Sequence, residues 1–125
     1  MLILGHHLLS KNSNFYFIDK SEMLSKDQIS CFFYNEKIIE NAKNQNLDFA
    51  IFIQNKDEIF LSNALEAKFL LFNDENLAHF ASKVAEFYLF DSKILLIVEK
   101  LSNFENAFNL KLDGVILKDF IQNFH

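Results

Sequence analysis

IFIQNKDEIFLSNALEAKFLLF, residues 51–72, decides the fold because the chain writes it twice. Without a gap it superposes on LIVEKLSNFENAFNLKLDGVIL, residues 96–117. Each copy opens on an apolar run and reaches the next one 18 residues later, from Ile51 to Phe69 and from Leu96 to Gly114. The superposition lays Asp57 on Ser102 as a helix cap, Ile59 on Phe104 and Leu65 on Leu110. A repeated strand, helix and strand is the pattern of parallel βαβ crossovers, whose right-handed path lays each helix back on the sheet.

The same rhythm extends on both sides. SCFFY (30–34), FAIFI (49–53), KFLLF (68–72), KILLIV (93–98) and GVIL (114–117) are short apolar runs without polar alternation. Such runs predict strands buried on both faces, the mark of a parallel sheet. Helices are predicted over 36–46, with Ile38, Ile39 and Ala42 inward, and over 75–90. The latter places Leu77, Ala81, Val84 and Tyr88 on one face and His79, Ser82, Lys83 and Glu86 opposite. A third, over 102–112, carries Phe104, Phe108 and Leu112 and opens on Ser102 with Glu105 three positions on, a capping-box pattern. The expected fold is one α/β domain over residues 1–125, doubly wound in the flavodoxin-like manner, with a mainly parallel sheet of five strands. A half-barrel of βα units is the alternative. Within residues 1–29, MLILG (1–5) and NFYFID (14–19), joined by polar SKNSN (10–14), predict an N-terminal β-hairpin or edge strands.

Composition narrows the function. A chain of 125 residues, half of them apolar, builds a core without disulfides or metals as staples. Its net charge of −5 argues against nucleic acid or an anionic membrane as partner. There is no arginine, so no bidentate guanidinium clamps a phosphate or carboxylate. Gly5 and Gly114 are the only glycines, so neither a dinucleotide-binding fingerprint nor a P-loop can be written, and no cofactor is expected. The lone Cys31, inside ISCFFY, forms no internal disulfide and is expected to be buried. MLILGHHLLS lacks the basic lead of a signal peptide, and charges interrupt every apolar run. A cytoplasmic protein is the expectation.

In open α/β sheets ligands bind beyond the carboxyl ends of the strands. Tyr34, Asn35, Glu36, Gln54, Asn55, Asn73, Asp74, Glu99, Lys100, Lys118 and Asp119 stand there, and Asn73, Asp74, Glu99 and Lys118 are the candidate ligand-binding set. The bland reading is that every parallel strand ends in polar residues because it leaves the core. His6 and His7 are adjacent on extended chain and point to opposite faces, so no metal site is expected. His79 lies on a polar helix face and His125 is terminal. Ser30, Cys31 and the histidines form no nucleophile–base spacing, and no catalytic residue is assigned.

KILLIVEK (93–100) with LDGVILKDF (112–120) resembles the last two βα steps of response-regulator receiver domains, and Lys118 matches the lysine that ends that family's final strand. The pattern departs elsewhere. Asn73 stands where the family has its aspartate acceptor, with Asp74 one step late. Val98 and Glu99 replace the hydroxyl residue of the fourth strand, Glu36 alone answers the acidic pair, and Asp119 replaces the customary proline. The resemblance therefore implies a fold and not phosphoryl acceptance. LDGVIL is also similar to the helix-to-strand corner of (βα)8 barrel enzymes, although the chain has about half the length of such a barrel.

Phe87, Leu89 and Phe90 fall outside the core stripe of their helix, and DFIQNFH (119–125) is too short for a closing helix. Exposed aromatic surface marks contact sites. Phe87, Leu89, Phe90, Phe120 and Phe124 are thus candidates for a homodimer interface, unless residues 1–29 cover them. The expectation is a small non-catalytic domain acting through protein contacts. A small-ligand binder or enzyme, with its pocket around Asp74, Glu99 and Lys118, is the alternative.

Overall fold

The computed structural model describes residues 1–10 and 14–124. Among these, β1 (Leu2–Leu4), β2 (Phe15–Phe17), β3 (Ile29–Phe33), α1 (Glu36–Asn44), β4 (Phe49–Phe52), α2 (Lys56–Ala64) and β5 (Phe69–Phe72) come first. Then follow α3 (Glu75–Tyr88), β6 (Lys93–Val98), α4 (Phe104–Asn109), β7 (Gly114–Leu117) and β8 (Ile121–Gln122). Short 3-10 turns at Ser21–Met23 and Lys118–Phe120 join β2 to β3 and β7 to β8. All strands share one sheet in the order β1-β7-β6-β5-β4-β3-β2-β8, and every pairing is parallel.

The strands predicted from β3 to β7 are therefore present, adjacent and parallel, but the winding is not the expected one. A doubly wound sheet reverses direction part-way and so receives helices on both faces. Here the chain steps from β2 through β7 without reversing. Right-handed crossovers that always step the same way keep every helix on one side. The two cores show this. Ile38, Ile39 and Ala42 of α1, Ile59 of α2, Ala78 and Ala81 of α3 and Ala107 of α4 all pack with Phe32, Ile51, Leu70, Ile94 and Val115 on one face. The opposite face buries Phe15, Cys31, Phe52, Phe69, Leu71, Leu95 and Ile116 with no helix among them.

A sheet covered on one face must roll toward the other. From β7 to β8 the sheet order counts six strand steps, roughly 29 Å if the sheet were flat. The chain makes the same journey from Leu117 to Ile121, at most roughly 14 Å of backbone. Only a strongly curled sheet satisfies both lengths. The architecture is a half-barrel of eight strands, in place of the five-stranded flavodoxin-like sheet.

Of the two readings of residues 1–29, the hairpin is excluded and an edge strand is found in β1. β1 and β2 do not pair with each other: β1 lies outside β7, and β2 lies between β3 and β8. Gly114 makes room for β1, since a Cβ there would stand 2.1 Å from the carbonyl oxygen of Leu2. Gly5 ends β1 at φ 114, a conformation closed to side-chain-bearing residues, with the chain of Leu117 and Phe120 directly beside it. Both glycines of the protein serve to seat β1.

Helix ends follow a shared design. Asn35, Asn55 and Asp74 cap α1, α2 and α3 by accepting backbone N–H bonds from Ile38, from Glu58, and from Asn76 and Leu77. Asn55, not Asp57, caps α2, and Glu58 returns a carboxylate to the Gln54 N–H at 2.9 Å. The expected Ser102 cap is likewise displaced. A tight turn in which the Ser102 N–H bonds to the Lys100 carbonyl delays α4 by a residue, and Asn103 precedes it without a side-chain cap bond. All four helices stop on a left-handed residue: Asn46, Glu66, Leu89 and Lys111. The next N–H then turns back to the last helical turn, as from Leu47 to Ala42, Ala67 to Ser62, Phe90 to Ala85 and Leu112 to Ala107.

Candidate functional site

A parallel half-barrel presents its strand carboxyl ends as one rim. At β2, β3 and β4 that rim is apolar. Phe17, Phe33 and Phe52 end those strands, and Phe124 stacks on Phe52 with ring centres 4.6 Å apart and meets Phe17 in a tilted contact at 5.5 Å. Phe120 lies deeper, 5.8 Å from Phe15. The strand β8 fixes this plug by pairing Ile121 with Phe15, while the Asn123 side chain donates to the Phe17 carbonyl at 3.1 Å. Aromatic rings thus line the region that a βα barrel would use for a ligand, with Phe33 partly exposed.

The rim turns polar at β5 to β7. Asn73 and Glu99 share a recess of about 240 Å³ with Glu75, Ser102, Asn103 and Asn106. Asn106 spans it, its side-chain amide donating to the Glu75 carboxylate at 3.1 Å. Lys118 stands 3.8 Å from Glu99, both at the solvent edge. The structure thus brings Asn73, Glu99 and Lys118 to one stretch of rim. It turns Asp74 away from them: one carboxylate oxygen accepts from the Asn76 N–H at 2.8 Å and the Leu77 N–H at 3.2 Å. Glu75, Asn103 and Asn106 are not among the sequence candidates, and the sequence marks Ser102 only as a helix cap, although Glu75, Ser102 and Asn103 follow the end of β5 or β6 within five residues.

His6 and His7 stack at 4.6 Å, and His6 Nδ1 accepts the Leu8 N–H at 3.1 Å. Among the described residues no three His, Cys, Asp or Glu side chains converge as metal ligands. His79 Nδ1 lies 3.0 Å from the Leu110 carbonyl, which Ser82 Oγ also approaches at 2.9 Å, so these two side chains tie α3 to the end of α4. His125 lies outside the described residues. Cys31 is fully buried in β3, and burial pushes its thiol up to about 12. Burial, reinforced by a 2.8 Å hydrogen bond to Glu36, raises the phenol of Tyr34.

The opposite end of the half-barrel carries a group of exposed apolar side chains, apart from Leu8, Leu9 and Phe33 at the carboxyl-end side. Phe87 is 78% exposed, Tyr88 63%, Leu89 84% and Phe108 62%, with Met1, Phe60 and Leu61 also open. The sequence stripe had put Tyr88 and Phe108 inward. α3 ends in Phe87 and Tyr88 and is followed by the left-handed Leu89, and all three side chains are left exposed. Tyr88 meets Phe60 of α2 and Phe87 edge-on. Beside them a groove of about 570 Å³ opens between α3 and α4, with Phe90, Ile94 and Leu112 in its floor and Phe108 and Met1 on its rim. Of the expected interface residues, Phe87 and Leu89 are open on this surface and Phe90 lines its groove. Phe120 and Phe124 belong to the inner face.

No protein-family model matches this chain, and no curated protein is significantly similar to it. Among the described residues, no helix is long and apolar enough to cross a membrane.

Proposed function

We propose that this protein is a non-catalytic domain of the cytoplasm that works through protein contacts, as a homodimer. The observation that carries the reading is the band of Phe60, Phe87, Tyr88, Leu89 and Phe108 on the helical face. Each large apolar side chain left in water forgoes about 1.5–3 kcal/mol of burial, and grouped exposure of this kind marks contact surfaces. The aromatic plug of Phe17, Phe33, Phe52 and Phe124 supports it from the other side, by lining with rings the region an enzyme of this architecture would use. In this reading the receiver-like segment 93–120 is scaffold, with Lys118 held near Glu99 and no phosphoryl acceptor. Sedimentation equilibrium at micromolar concentration tests it: the expected mass is twice the 14.7 kDa chain. A monomer at every concentration refutes it.

The recess between Asn73 and Asn106 favours a second reading, binding of a small polar ligand. A thermal-shift screen of polar metabolites, with Asn106→Leu as control, tests that reading. A stabilisation that the control abolishes supports it.

A further inference from the structure

We infer that the two copies meet through the exposed last turn of α3 and the groove between α3 and α4. This rests on the homodimer reading above and adds the groove and the left-handed Leu89 to its contact surface.

Three observations choose a second copy. First, the face carries a protrusion and a recess side by side. Phe87 and Leu89 stand out from the end of α3, while their chain neighbours Glu86 and Phe90 line the 570 Å³ groove together with Ile94 and Leu112. A surface that holds both knob and hole can meet itself about a two-fold axis. Second, the area is sufficient. At about 150–250 Å² per large aromatic side chain, the exposed parts of Met1, Phe60, Leu61, Phe87, Tyr88, Leu89 and Phe108 amount to roughly 800 Å², what each partner of a standard interface buries. Third, the chain carries −5 overall, yet the charges on and beside this face mix signs: Glu86, Lys111 and Asp113 line the groove, and Asp48, Glu66, Lys68 and Asp91 line the recess beside Leu89. A second copy therefore meets no block of like charge there.

Leu89 supplies an independent sign. The matching left-handed residues after the other helices are Asn46, Glu66 and Lys111, all polar. Only α3 holds a branched apolar residue at φ 55 and leaves it 84% exposed. Within one chain that choice is unfavourable twice, in backbone and in hydration. A partner that buries Leu89 accounts for it.

Strand addition is the competing mode, and Ser10 covers part of the β1 edge against it: the Gly5 N–H donates to Ser10 Oγ at 2.9 Å, and that hydroxyl donates to the Ile3 carbonyl at 3.4 Å.

The test compares the wild type with Phe87→Asp, Leu89→Asn and, on the far face, Phe33→Asp, by sedimentation equilibrium and thermal melting. Phe87→Asp and Leu89→Asn are expected to weaken dimerisation at least about tenfold (about 1.4 kcal/mol), and Phe33→Asp to leave it unchanged. Leu89→Asn is also expected to raise the melting temperature of the monomer, because asparagine tolerates the left-handed conformation. A merely structural Leu89 would not move the two readouts in opposite directions. If the wild type is a dimer and both α3 variants dimerise equally well, this surface is refuted while the contact reading stands. A wild-type monomer at every concentration overturns both.

Discussion

Gly114 lies so close to Leu2 that a single methyl group on it would meet the Leu2 carbonyl oxygen at 2.1 Å. The contact sits where β1 joins β7 and where the Leu2 N–H bonds to the Asp113 carbonyl at 2.8 Å. Asp113 also ties β6 to β7, its carboxylate accepting the Ile94 N–H at 2.7 Å. Backbone has no rotamer to escape into, so Gly114→Ala is expected to detach β1 rather than shift it. The cost should be about 2–4 kcal/mol in urea unfolding. Amide exchange should show the Leu4 N–H losing protection while α1 and α2 keep theirs. Unchanged protection at Leu4 would contradict the packing of β1.

Phe124 stacks almost parallel on Phe52, at an interplanar angle of 14°. Phe124→Ala removes that ring from the inner face and uncovers parts of Phe17 and Phe52. With the site half-open, a loss of about 2–3 kcal/mol is expected, below the usual range for a fully buried phenylalanine. Binding of a hydrophobic dye should rise with it. A variant as stable as the wild type would show that Phe124 does not close the half-barrel.

The elements were legible in the sequence, whereas the half-barrel winding could be read only as the alternative to a doubly wound sheet, for a physical reason. Strands of singly and doubly wound parallel sheets are buried on both faces and read as the same unbroken apolar runs. What distinguishes them is the cover on the second face. Here it comes from Phe15, Phe52, Phe69 and Leu95 of the strands themselves and from Ile121, Phe120 and Phe124 of the closing segment. The pairing of Ile121 with Phe15 joins the two ends of the chain, and no local pattern encodes it. At the rim, Asn73, Glu99 and Lys118 were readable because a strand must end in polar residues. Asp74 shows the limit of that signal: an acidic residue before a helical run is equally an N-cap, and the cap took it. The exposure of Tyr88 was hidden because periodicity gives the face of a helix, not what packs against it.

Lys111 occupies the left-handed position after α4 at φ 61, where glycine is the usual residue. The 51–72 and 96–117 units superpose it on Glu66, which stands at φ 70. Glu66 is held there by Lys43, at 2.6 Å, whereas Lys111 only reaches over the Phe108 ring at 4.8 Å. Lys111→Gly should therefore stabilise the fold by about 1 kcal/mol, the backbone relief outweighing the glycine's greater freedom when unfolded. Glu66→Gly should gain less, because it also gives up the bond to Lys43. Chemical unfolding of both variants checks the order, and a loss of stability in Lys111→Gly would contradict the assigned backbone.

Cys31 offers the last prediction, because its thiol behaves differently in the two states. Buried in β3, it is held protonated up to about 12, against 9.0 for the ordinary thiol. A group whose folded pKa is raised makes its full contribution below the unfolded value and loses it as pH climbs toward the folded one. Between about pH 9 and 12 the unfolded thiol ionises while the folded one does not. Wild-type stability should then fall by about 1.4 kcal/mol per pH unit from this residue alone. Lysines and tyrosines titrate in the same range, so Cys31→Ala is the reference: the difference between the two chains isolates the thiol. Urea midpoints at pH 8, 9.5 and 10.5 should show the wild type losing ground to the variant only above pH 9. A native-state thiol that reacts with a disulfide reagent as fast as the urea-unfolded one would contradict the burial on which the shift depends.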